Sequence, residues 1–160
     1  MPDPETFTIE EAQRHFARSL NGRTWELLGL PKRSPEQGEL MLLAAQASLY
    51  HWLQIGTAVH AQRGHWLVAH VYAVLEQAAP AMQHAQRCAA LTAQHPAEMQ
   101  DFDRAYALEA LARAYALQGE IERARAYYGQ AASAGEAIAD AEDRQIFTSD
   151  LQSGKWYGAV

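Results

Sequence analysis

Between Ala105 and Ile138, Leu108, Leu111, Ala112 and Tyr115 recur at steps of three or four residues, Gly119 interrupts them, and Ala124, Tyr128 and Ala131 resume the stepping. Such steps keep residues on one helical face, so the segment reads as a helix, a turn and a second helix that packs back on the first. The small residues set the geometry: two antiparallel helices approach closely only where side chains do not hold their backbones apart, and large residues then plug the neighbouring groove. The arrangement occurs twice, since His65 to Ala93 lies over Leu108 to Glu136 without a gap at an offset of 43 residues. Tyr72 then falls on Tyr115, Ala69 on Ala112, Ala81 on Ala124 and Cys88 on Ala131, while Ala85 stands for Tyr128 and Glu76 for the turn residue Gly119.

These residues resemble a tetratricopeptide repeat, whose consensus runs large apolar, x2, Leu, small, x2, Tyr, a turn, then Ala, x3, aromatic. Leu108 takes the place where Trp is usual, and Glu136 lies near the place of the closing Pro. The resemblance implies an all-α fold of antiparallel helical hairpins stacked as a short, TPR-like right-handed superhelix. About three units are normally needed to bury a continuous core. A single domain over 1–160 is therefore expected, with a first hairpin over 8–60, a degenerate repeat over 64–95, a clear repeat over 98–139, a capping helix over 140–152 and a tail over 153–160. The offset exceeds the usual period of about 34, and the Pro96-containing segment Gln94 to Asp103 is long enough to hold the excess.

The part outside the repeats carries its own helix signals. Thr8 with Glu11 three residues on makes a capping box, and the helix it starts is expected to reach Leu28. After the break Gly29 to Arg33, Ser34, Pro35 and Gln37 supply a second cap. The helix that follows is apolar on nearly every side from Leu40 to Val59, which predicts a central, largely buried spine. Asp140, with Asp143 three residues on, opens a last helix to about Leu151, and Trp156 and Tyr157 are suited to tying down the tail.

Composition excludes several classes. A formal net charge of −6 with no basic run disfavours nucleic acid, which needs clustered Lys and Arg. The start, Met1 to Glu5, is acidic and broken by proline, unlike a secretion signal. Met41 to Leu53 is too short and too interrupted by Gln46, Ser48 and His51 to span a bilayer, so no membrane partner is expected. The lone Cys88 fits a reducing compartment, and a cytoplasmic protein is the expectation.

The repeat resemblance also implies which residues line a concave face: Arg63, Trp66, His70 and Ala73 in the earlier unit, and Tyr106, Glu109, Arg113 and Ala116 in the later one. Charged groups beside an aromatic ring suit a polar ligand or peptide. Some members of the family grip a peptide carboxylate through Lys and Asn at these places, and that clamp is not reproduced here. A plainer account of Glu109 and Arg113, four residues apart, is a solvated pair worth about 0.3–0.5 kcal/mol. His51, beside Tyr50 and Trp52, would in an enzyme suggest an imidazole in an aromatic pocket, although packing explains it more simply.

Metal and cofactor chemistry find no pattern. His84 and Cys88 share a helical face but need further ligands, and His60, His65 and His70, at steps of about 140° round a helix, fan out unless Gly64 breaks it. There is no HExxH, CxxC or phosphate-cradling spacing, and the acids Asp140, Glu142, Asp143 and Asp150, which could hold a hard cation, lack the spacing of a calcium loop and read more simply as acids of a helix start. No metal, cofactor or catalytic residue is assigned. The expected function is a scaffold or adaptor that takes a protein or peptide partner in its groove, by way of Arg63, Trp66, His70, Tyr106, Glu109, Arg113 and His51. The alternative is a small helical enzyme or ligand-binding protein in which His51, His70, Glu109 and Arg113 form a polar pocket. A third reading is a self-associating protein with an apolar patch on its first or last hairpin.

Overall fold

The computed structural model describes residues 6–160, so the acidic start Met1 to Glu5 lies outside it. Among the described residues there are seven helices and no strand: α1 (Ile9–Leu28), α2 (Pro35–Ile55), α3 (Ala58–Val74), α4 (Ala78–Gln94), α5 (Asp101–Leu117), α6 (Ile121–Glu136) and α7 (Ala141–Gln152). Local chemistry sets the starts. Thr8 accepts from the Glu11 amide while the Glu11 carboxylate accepts from the Thr8 amide, at 3.1 and 2.8 Å. Ser34 and Gln37 exchange the same pair of bonds with Pro35 at the first helical position. Asp140 accepts from both Glu142 and Asp143 amides at the head of α7.

Each helix packs on its neighbour, as the hairpins α1/α2, α3/α4 and α5/α6, with α2 against α3 and α4 against α5 joining them. In addition α3 packs on α5 and α5 on α7. The odd-numbered helices therefore share one side of the molecule, which α1 joins through Trp25 stacked on Trp66 of α3.

The two repeat-like turns are built alike. Glu76 and Gly119 both take left-handed backbone, at φ 58° and 79°. Across each turn the next amide reaches back five residues, Gln77 to the Tyr72 carbonyl and Glu120 to the Tyr115 carbonyl, both at 2.9 Å. This closure satisfies carbonyls that a helix end leaves open. The offset of 43 residues read from side chains is thus also the offset between two identical backbone turns. Glu76 accepts strain that glycine would avoid, and its carboxylate receives bonds from Lys155 and Tyr157 of the tail.

The small positions pack as the helix–helix argument requires. Ala69, Ala81, Ala85, Cys88, Ala112, Ala124 and Ala131 are all buried, none more than 3 % exposed. Met41, Val68 and Val71 centre the core between α1, α2 and α3; Met82, Ala85 and Leu111 centre that between α3, α4 and α5; Ile138, Phe147 and Trp156 centre the last, which includes the tail.

Three local features differ from the sequence reading. The second helix ends at Ile55, and Thr57 opens α3 with His60 in its capping box, so the first hairpin closes before His60. Gly64 does not break α3. It is the place where Leu49 of α2 presses in, its Cδ1 lying 2.7 Å from where a Cβ at 64 would stand. The helix α2 is not buried all round, because Leu40, Leu43, Tyr50 and Leu53, at steps of three and seven along one face, are 43 to 62 % exposed. Among the described residues no helix covers that face. No described helix is long and apolar enough to cross a membrane.

Candidate functional site

The shared side of α1, α3, α5 and α7 gathers most of the residues that the repeat frame singled out. Trp66 of α3 is the hub. Its ring stacks with Trp25 and His70, with centroids 6.0 and 5.0 Å away, those two rings also lying 6.4 Å from each other, and it meets Tyr106 edge-on at 5.0 Å. Its indole Nε1 donates to Oε2 of Glu109 at 2.9 Å. The other oxygen of Glu109 pairs with Nε of Arg113 one turn along α5. Arg113 also donates to the Asp150 and Ser153 carbonyls at 2.7 and 3.1 Å and lies 4.3 Å over the Trp156 ring.

The pair is therefore interior. Glu109 is 1 % and Arg113 7 % exposed, so the solvated-pair account does not describe them, and they present no free charge to a ligand. Both oxygens of Glu109 and all three nitrogens of Arg113 have an internal partner, which fixes Trp66 and the end of α7 relative to α5. Tyr106 donates to Asp150 at 2.5 Å, and its hydroxyl is held well above the ordinary phenol range by burial first and that carboxylate second.

Arg63 sits at the rim. Its guanidinium is half-exposed, donates in a fork to both oxygens of buried Asp103 at 2.8 and 3.0 Å, and lies over the Phe102 ring. Asp103 also accepts from the Gln100 amide at the head of α5. A cleft of about 310 Å³ opens between these groups, lined by Trp25, Arg63, Trp66, Tyr106 and Ile146 among others.

A second cavity, of about 390 Å³, shares no lining residue with the first. It lies where the α1–α2 loop, the ends of α3 and α5 and the tail meet, and is lined by Arg33, His70, Val74, Arg113, Leu117 and Lys155 among others. Here His70 lacks any hydrogen bond among the described residues, and its Nδ1 is closed off from solvent without a partner. Burial holds the His70 imidazole below its ordinary range, with Arg113 acting the same way and Glu109 opposing.

The structure thus brings Arg63, Trp66, His70, Tyr106, Glu109 and Arg113 into one connected layer. His51 stands apart, between α1 and α2, paired with the Gln13 side chain and beside Phe16. His60, His65 and His70 fan out along the unbroken α3 onto Trp52, His84 and Trp66 respectively, and no group of three His, Cys, Asp or Glu among the described residues converges as metal ligands would. The Cys88 thiol is fully buried and pushed far up by that burial, with Glu109 and Asp103 adding to it, so a reactive thiolate is excluded. Sequence reasoning missed Trp25, Asp103 as a charge partner and Asp150. Asp103 was visible only as a first-turn residue, and Trp25 and Asp150 lie on helices outside the repeat frame. The chain matches no protein-family model, no curated protein and no solved structure.

Proposed function

We propose that this chain is a TPR-like helical repeat protein whose cleft between α1, α3, α5 and α7 binds a peptide segment of a partner. The cleft carries the proposal: exposed Trp25 and Ile146 line it together with the aromatic rings of Trp66 and Tyr106 and half-exposed Arg63. Aromatic walls with a charged edge suit an apolar anchor side chain whose backbone or neighbouring acid meets the guanidinium. The identical turns 43 residues apart support the repeat reading, and a single buried cysteine accords with a cytoplasmic setting. The enzymatic alternative needs an imidazole beside a free carboxylate, but His51 lies elsewhere and both oxygens of Glu109 are engaged.

Peptide-display selection on the full chain tests this. The expected result is enrichment of sequences with one aromatic or branched apolar residue, whose affinity falls at least about tenfold in Trp25→Ala and in Ile146→Asp. Enriched peptides that bind both variants like the parent would overturn it. A second reading, self-association, is favoured by the bare face of Leu40, Leu43, Tyr50 and Leu53 on α2.

A further inference from the structure

The cavity beside His70 has a charge balance unlike that of the chain as a whole. Of its cationic walls, Arg113 is neutralised by Glu109 and Lys155 by Glu76. Arg33 has no carboxylate partner among the described residues. Its Nη1 alone donates to the Leu27, Leu28 and Leu30 carbonyls, at 3.0, 3.0 and 3.2 Å, which leaves Nε and Nη2 without protein acceptors. The carbonyl end of α1 offsets about half a charge, so a fraction of one positive charge remains, presented on the edge of a planar fork. Such an edge matches a carboxylate in geometry as well as sign.

Two further features narrow the ligand. The imidazole of His70 lines the same cavity with neither nitrogen bonded, and buried polar atoms are ordinarily partnered by protein, water or ligand. With Nδ1 enclosed, the tautomer protonated at Nε2 offers a donor to an acceptor in the cavity. Ala73, Val74 and Leu117 also line it, beside Ser153, Gly154 and Tyr157, and the three aliphatic residues give an apolar body somewhere to lie. A volume of about 390 Å³ is that of a small-molecule site. One guanidinium edge and one imidazole donor match the two oxygens of a carboxylate and leave the further oxygens of a phosphate without donors.

We infer that this cavity binds a small monocarboxylic acid, its carboxylate on the free edge of Arg33 and hydrogen-bonded by His70, its apolar body against Val74 and Leu117. The site is separate from the peptide cleft, since the two share no wall.

Titration of the full chain with hexanoate, hexanamide and inorganic phosphate, followed by NMR of backbone amides and the His70 ring, tests the assignment. Hexanoate is expected to shift Val74, Leu117 and His70 with a Kd of about 1 mM or tighter, and hexanamide and phosphate to bind at least about tenfold more weakly. Arg33→Gln should weaken hexanoate at least about tenfold, but Arg33 also ties the end of α1. Ala73→Glu is therefore the companion variant: it places a repelling carboxylate in the cavity, touches no side-chain hydrogen bond, and should abolish binding. Ile146→Asp, which alters only the peptide cleft, should leave it unchanged and so separates failure of one site from failure of the other. Equal binding of acid and amide, binding that survives Ala73→Glu, or phosphate binding as tight as hexanoate each overturns the inference. So does a tripeptide free acid that outcompetes hexanoate, since it would give the site to a chain terminus.

Discussion

Glu109 shows at the scale of one residue how this molecule places charge. Its carboxylate is 1 % exposed and is held by the Trp66 indole on one oxygen and Arg113 on the other. A buried pair contributes little against an apolar replacement of both partners, but removal of one leaves an uncompensated interior charge. Arg113→Ala should accordingly cost about 3–5 kcal/mol, measured by denaturant unfolding, and should loosen the start of the tail because the Ser153 and Asp150 carbonyls lose their donor. His65 and His84 form the other sensitive pair, with their Nδ1 atoms 2.9 Å apart. One must donate and the other accept, so the contact needs at least one neutral ring. Burial first, then His84 and Arg87, depress His65 from 6.5 to about 4. In that window the unfolded chain binds more protons than the folded one, so stability is complete above about pH 6.5 and falls as pH drops toward 4. Urea midpoints measured across this range should show the slope, and His65→Gln should flatten it; an equal slope in both would refute the assignment to His65. The repeat frame named Trp66, His70, Tyr106, Glu109 and Arg113 together, and the structure brings them into contact as one chain of neighbours. The burial of Glu109 and Arg113 was not legible there, because Asp150 and Ser153, whose carbonyls hold Arg113, stand outside the residues that frame covers.

At the scale of the element, capping chemistry was the most legible part of the chain. Thr8 with Glu11, Ser34 with Gln37 and Asp140 with Asp143 are side chains answering backbone groups within three residues, a transaction that needs no tertiary information. Gly56 and Gly64 illustrate the opposite case. Both stand in helical surroundings, and only the fold makes the first a break after α2 and the second a seat for Leu49 in α3. A methyl at 64 would fall 2.7 Å from Leu49 Cδ1 while Leu49 Cβ and Cα stay at ordinary contact, so Gly64→Ala gains helix propensity yet forces the buried Leu49 side chain out of its place. We expect a net loss of about 1–3 kcal/mol from overpacking. Thermal unfolding of the Gly64→Ala, Leu49→Ala double variant checks the cause: relief of part of the loss, relative to the sum of the single variants, is the expected coupling.

At the scale of the whole molecule, the hairpins leave α2 with one face on α1 and α3 and another on water. Leu40, Leu43, Tyr50 and Leu53 line the wet face, and nearly continuous apolarity along α2 could not reveal which side would be left uncovered. If that face is a self-association surface, sedimentation should show a concentration-dependent dimer that Leu43→Glu returns to monomer; a parent chain monomeric at all concentrations would reject it. The helical class, the pairing of helices in hairpins, the caps and the 43-residue offset all follow from short-range periodicity and from the sizes of residues at contacting positions, which one strand of sequence carries in full. The interior placement of Glu109 and Arg113, the stacking of Trp25 on Trp66 and the two separate cavities were decided only by the tertiary structure. Each depends on residues distant in the chain arriving at one place, Trp25 from α1 and Asp150 and Lys155 from the C-terminal end, and local patterning holds no record of such meetings.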